Sequence, residues 1–184
     1  MISSIITIVI PCMNNVLGVK TTIENLSTKS KINGTRILVL DFGSKDGSYQ
    51  YVAQASSEMI RSLKIESIKA EAGQSVKDFK NIIHTEYVLV VSPGTIFNDK
   101  DFVLKSINDI LGYSKYPIVY LKQSTLINNM LSRFINKNRR IGAILSKTEV
   151  MEDIKFDHEI SDLDINLKNK SVSGGIKIGG FADI

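Results

Sequence analysis

The sequence predicts an α/β fold wound around a parallel sheet. Two observations carry this expectation. Short, β-branched apolar runs alternate with longer stretches whose apolar residues recur at helical spacing. The early runs are nearly continuous rather than alternating, as strands covered on both faces must be.

The elements follow in order. Ile5 to Ile10 is the first strand, stopped by Pro11. Val16, Val19, Ile23 and Leu26 mark a helix over Val16 to Lys29, and Asn33-Gly34 reads as a turn. Arg36 to Leu40 is the second strand, ending at Asp41. A polar loop, Phe42-Gly43-Ser44-Lys45-Asp46-Gly47, leads to a helix from Ser48 to Arg61. Leu63 to Lys69 is the third strand, and a helix is expected near Ser75 to His84. Tyr87 to Val91 is the fourth strand, halted by Ser92-Pro93-Gly94. A helix capped by Asp99 and ended by Gly112 follows. Ile118 to Leu121 is a strand, Thr125 to Ile135 a helix, and Ile141 to Leu145 a further strand. A last helix starts at Ser161, and Ile176 to Ile178 is a closing strand.

Composition narrows the function classes. The chain has 184 residues, 43% hydrophobic and 23% charged, with a net charge of +4. These are values of an ordinary globular domain. A mild positive excess suits an anionic ligand such as a nucleotide. Lys and Arg are scattered, and the aromatics form no stacking row, so nucleic acid is not an expected partner. No apolar run approaches the about 20 residues of a membrane span, and no signal peptide is legible, so a cytoplasmic protein is expected. Cys12 is the single cysteine and reads as a buried thiol. His84 and His158 have no metal partners at a convincing spacing. Neither GxGxxG nor GxxxxGK[ST] occurs.

In a parallel sheet of this kind, ligands bind outside the carboxyl ends of the strands. Four segments fall there: Pro11 to Asn15, Asp41 to Gly47, Ala72 to Gln74 and Ser92 to Thr95. A carboxylate at a strand end, such as Asp41, can accept hydrogen bonds from an imide N–H or a sugar hydroxyl. Gly43 and Gly47 let the backbone turn tightly beside a ligand. The plainer reading of the same loop is a surface turn, with Asp41 capping the next helix.

Taken in order, these segments resemble the nucleotide-sugar-binding half of family 2 glycosyltransferases. Ile8-Val9-Ile10-Pro11-Cys12-Met13-Asn14 is similar to that family's opening IVIPxYN, and Val39 to Ser48 to its VVDDGSxDGT. Glu86 to Thr95 stands where the family carries EYILFLNPDT or a DxD motif. Phe156-Asp157-His158-Glu159 with Ser161-Asp162-Leu163-Asp164 resembles FDE followed by EDVDL. The resemblance implies a GT-A type, nucleotide-diphospho-sugar transferase fold with flanking helices. It implies one domain over 1–184, with a nucleotide-binding half (1–98) and a reduced acceptor half (99–184). The implied activity is an inverting transfer from a UDP- or GDP-type sugar to an acceptor the sequence does not name. Asp162 would be the catalytic base, with Ser161 in place of the family's Glu. Pro11, Asn14, Asp41, Gly43, Ser44, Gly73, Ser92 and Gly94 would bind the donor.

The chain departs from the pattern at the metal. The family's aspartate after the fourth strand is replaced by Ser92-Pro93-Gly94, and Phe42 replaces the second aspartate of the loop. No metal cofactor is therefore expected, Mg²⁺ or Mn²⁺ lacking its aspartate ligand, and Lys77 and Lys80 are candidates to neutralise a diphosphate. Ser161, Asp162 and Asp164 also read as a helix start. The alternative function is an inactive GT-A binding or scaffolding module, with room for an oligomer or a partner transferase. A flavodoxin-like binding protein is a third reading.

Overall fold

The computed structural model describes residues 5–28, 35–58, 63–97, 118–122, 141–152, 155 and 181–183. In these, seven strands form one sheet: β1 (Ile6–Cys12), β2 (Arg36–Asp41), β3 (Lys64–Lys69), β4 (Tyr87–Val91), β5 (Ile118–Lys122), β6 (Ile141–Lys147) and β7 (Phe181–Asp183). Their order across the sheet is β3-β2-β1-β4-β6-β5-β7. β1, β2, β3 and β4 run parallel. β6 is inserted antiparallel to both β4 and β5, and β7 pairs parallel with β5. The sheet is thus mainly parallel, as expected. Its order differs from the 2-1-3-4-5 of a flavodoxin-like sheet.

Two apolar layers cover it. Ile6, Ile8, Ile10, Ile37, Val39, Leu89 and Val91 face α1 (Val16–Ser27) and α2 (Ser48–Glu58), contributing Val19, Ile23, Leu26 and Val52. The alternate residues Val9, Leu38, Leu40, Val88 and Val90 face Val76, Phe79, Ile83 and Met151 on the other side. Met151 belongs to α3 (Thr148–Met151), a single turn after β6.

Several boundaries differ from the sequence expectation. β1 does not stop before Pro11 but runs to Cys12, with Pro11 opposite Leu40. Cys12 presents its carbonyl to Phe42 N–H on the β2 side (2.9 Å). Pro11, one residue earlier, therefore turns its nitrogen toward β4, where pairing has already ended at Val9–Val90. The missing N–H breaks no ladder bond there. α1 ends at Ser27 rather than Lys29.

The helix expected over Ser75 to His84 is instead one 3₁₀ turn, Val76–Phe79, started by a capping box between Ser75 and Asp78. The segment must cross the sheet, from the end of β3 to the start of β4. The Ile82 carbonyl has reached the amino edge, where it accepts from Arg36 (2.6 Å). A helix over 75–83 would rise about 13 Å, short of the roughly 17 Å length of a five-residue strand such as β4. The chain is stretched accordingly.

The Asn33-Gly34 turn, the helices expected from Asp99, Thr125 and Ser161, and the strand Ile176 to Ile178 lie outside the described residues. No helix among the described residues is long and apolar enough to cross a membrane.

Candidate functional site at the carboxyl edge

The strand order places the site. β1 leads leftward to β2 and β3, while β4 lies on its other flank, so the winding reverses between β1 and β4. In open sheets of this kind, such a switch point is where ligands bind, outside the carboxyl ends of the strands. The exits of β1, β2, β3 and β4 meet at this edge, and β6 enters from it: Ser92 N–H and Thr95 Oγ1 both donate to the Gly142 carbonyl (2.8 and 3.0 Å).

The first two exits are knitted together. Asn14, exposed and at φ 51°, donates its N–H to Ser44 Oγ (3.0 Å). Its Oδ1 accepts from Lys45 N–H (2.7 Å). Asparagine is among the few residues that take this left-handed conformation at small cost. Ser44 also touches the buried Cys12 thiol (4.0 Å). Asp41 ends β2 as a buried residue, 4% exposed, and Ser44 N–H points at both its carboxylate oxygens at 3.3 Å. Those contacts are long for N–H···O bonds, so the carboxylate keeps acceptor capacity. Gly43, exposed at φ 82°, allows this fold-back.

Asp46 is the residue that sequence reasoning passed over. Its Oδ1 accepts from Ser48 N–H and Oγ–H (3.0 and 2.6 Å), and its Oδ2 from Val16 N–H (2.8 Å). One carboxylate thus caps the start of α2 and ties down the start of α1. Desolvation opposes its ionisation, but the donors from Ser48 and Val16 outweigh it and hold the carboxyl below its ordinary value. The i, i+2 cap was legible in Asp46-Gly47-Ser48; the partner Val16, far away in sequence, was not.

The exit of β4 is strapped along α1. Gly94 N–H donates to the Gly18 carbonyl and Thr22 Oγ1 (2.9 Å each), and Phe97 N–H to Asn25 Oδ1 (2.8 Å). Gly94 has φ 91°, a conformation that favours glycine, and Gly18 leaves room for the capping Asn15 side chain, whose Oδ1 would lie 2.5 Å from a Cβ at Gly18.

Pro11, Asn14, Asp41, Gly43 and Ser44 therefore form one contiguous group. Ser92 and Gly94 sit at the neighbouring strand end, half-buried. Gly73 (φ 88°) lies in the exposed turn after β3, on the same edge but without a bond to that group among the contacts described above. Asp162, His158 and the Phe156–Glu159 segment lie outside the described residues. Phe42 has a structural explanation: it packs on the Val9–Leu40 face, away from the Asp41 side. Lys80, a candidate to neutralise a diphosphate, has a carboxylate neighbour. It pairs with Glu152 (3.3 Å), two residues before Ile82 reaches the opposite edge. Lys77 shares that segment and lies beside Asp78.

No protein-family model matches this sequence, and no curated protein matches it. Solved structures do. Glucosyl-3-phosphoglycerate synthase from Mycobacterium tuberculosis, in complex with Mn²⁺, UDP and phosphoglyceric acid, is similar over 98% of this chain and 68% of its own, at 15% identity and a TM-score of 0.63. A mannosyltransferase from Pyrobaculum calidifontis with GDP-Man and Mn²⁺ is similar over 97% and 56%, at 14% identity and 0.70. Mannosyl-3-phosphoglycerate synthase from Rubrobacter xylanophilus is similar over 97% and 64%, at 12% identity and 0.59. The chain has the GT-A fold. It spans little more than half the length of the mannosyltransferase.

These structures correct one expectation. The synthase and the mannosyltransferase hold Mn²⁺, or Mg²⁺ in another synthase complex, beside UDP or GDP-Man. The absence of a metal cofactor, expected from Ser92-Pro93-Gly94, is overturned by that finding. The aspartate-free motif does not decide the matter, because the nucleotide's own phosphate oxygens are ligands for a hard cation. Among the described residues, however, no three His, Cys, Asp or Glu side chains cluster as a metal site. Their donor set does not by itself fit the ion.

Proposed function

We propose that this GT-A chain belongs to family 2 and binds a nucleoside diphosphate sugar at the exits of β1, β2 and β4. It transfers the sugar, with inversion, to an acceptor. The observation that carries the reading is Asp41: a carboxylate at a strand end next to the switch point, buried yet with unspent acceptor capacity. It supplies what a uracil or guanine N–H or a ribose hydroxyl needs. Pro11, Asn14, Gly43 and Ser44 would shape the nucleoside end, and Gly73, Ser92 and Gly94 the rest of the donor. A divalent cation is expected with the donor, as in the neighbours.

An inverting transfer needs a carboxylate to take the proton of the attacking hydroxyl. Asp162 is assigned that role on its motif.

The absence of a carboxylate from Ser92 to Phe97 favours a second reading, a GT-A module that binds without transferring. Calorimetric titration with UDP and GDP, with and without Mn²⁺, followed by a donor-hydrolysis assay, separates them. Binding tightened by Mn²⁺ together with sugar release is the expected result. Binding without release leaves the module. No binding of either nucleotide removes both donor-based readings.

A further inference from the structure

We infer that Asp46 is a positioning residue that sets the spacing between the β1 and β2 exits by fastening the starts of α1 and α2 to one carboxylate. The inference rests on the nucleoside-binding reading above and names the residue that keeps that site in shape. A cap on Ser48 alone would be ordinary local chemistry. The bond to Val16 is not local: it joins the first helix to the loop after the second strand. Both donors lie at helix N-termini, where the backbone carries partial positive charge, so an ionised acceptor suits both at once.

The geometry shows what the clamp controls. Asn14 and Asn15 lie between Cys12–Met13 and Val16, while Gly43 to Lys45 lie between Asp41 and Asp46. The Asn14–Ser44 and Asn14–Lys45 bonds span the same gap. Asp46 closes this ring of contacts at its far end. It is solvent-exposed, so it adds little to global stability. Its effect falls on the distance between the two exits, and through them on Asp41.

Asp46→Asn tests this. The amide keeps one acceptor, which Ser48 with its two donors claims, and turns its NH₂ toward Val16 N–H. Native-state hydrogen exchange should accelerate at the Val16 amide and not at Ser48. Affinity for whichever of UDP or GDP the wild type binds should fall about tenfold, the scale of one charge-assisted hydrogen bond. Val52→Ala, in the core of α2, supplies a destabilised control whose affinity stays at the wild-type value. Should Asp46→Asn not fold, Asp46→Ser keeps the α2 cap but cannot reach Val16, and the same readouts apply. Unchanged exchange at Val16, or wild-type affinity in the variant, overturns the inference. A wild type that binds neither nucleotide defeats the donor reading instead, and the exchange at Val16 then decides the role of Asp46 alone.

Discussion

Asp41→Asn is expected to weaken UDP or GDP binding by about 30-fold, which corresponds to roughly 2 kcal/mol for a hydrogen bond to a charged group. The carboxylate has two oxygens and, among the described residues, only Ser44 N–H against them, at 3.3 Å. Replacing one oxygen by NH₂ sets donor against donor on one side, either at Ser44 or at the ligand. The backbone of Asp41 is held independently, with its carbonyl accepting from Ala70 N–H (2.9 Å) and its register fixed between Cys12 and Lys69. The variant should therefore fold, and the loss should appear in the dissociation constant. Calorimetric titration checks it. An unchanged constant would place the nucleoside away from β2.

The second large effect is on turnover. Asp162→Asn is expected to lower sugar transfer by about 10²–10⁴-fold, the range for removing a positioned base, while leaving nucleotide affinity unchanged. The substitution discriminates well. If Asp162 served only the first turn of a helix, asparagine would cost about 0.3–1 kcal/mol of dipole interaction and leave turnover alone. Steady-state transfer rates for Asp162→Asn and Asp164→Asn, compared side by side, decide it. Equal rates in the two variants would remove the assignment.

The legible parts of the molecule were those decided by local pattern. Tyr87–Val91 is a strand to the residue, because five apolar side chains lie between Glu86 and Ser92-Pro93-Gly94. The strand-end carboxylate at Asp41 and the glycine turns were legible for the same reason. Direction was not. Ile141-Gly-Ala-Ile-Leu reads as a buried strand whichever way it runs, and its antiparallel insertion beside β4 depends on partners far away in sequence. Val76, Phe79 and Ile83 have helical spacing, yet the length they must cover drew them out into a 3₁₀ turn. The site divides likewise. Single residues at strand ends were legible, whereas the Asn14–Ser44 and Asp46–Val16 ties join segments about 30 positions apart. The Lys80–Glu152 pair likewise joins residues that only folding brings together.

Amide chemical-shift mapping with UDP and with GDP, each in the presence of Mn²⁺, tests the central claim most directly. Shifts concentrated at Asn14, Asp41, Gly43, Ser44 and Gly94, with Arg36, Ile82 and Lys147 at the opposite edge unmoved, are the predicted result. Shifts at that opposite edge, or none anywhere, would contradict a nucleoside site at the carboxyl ends of the strands.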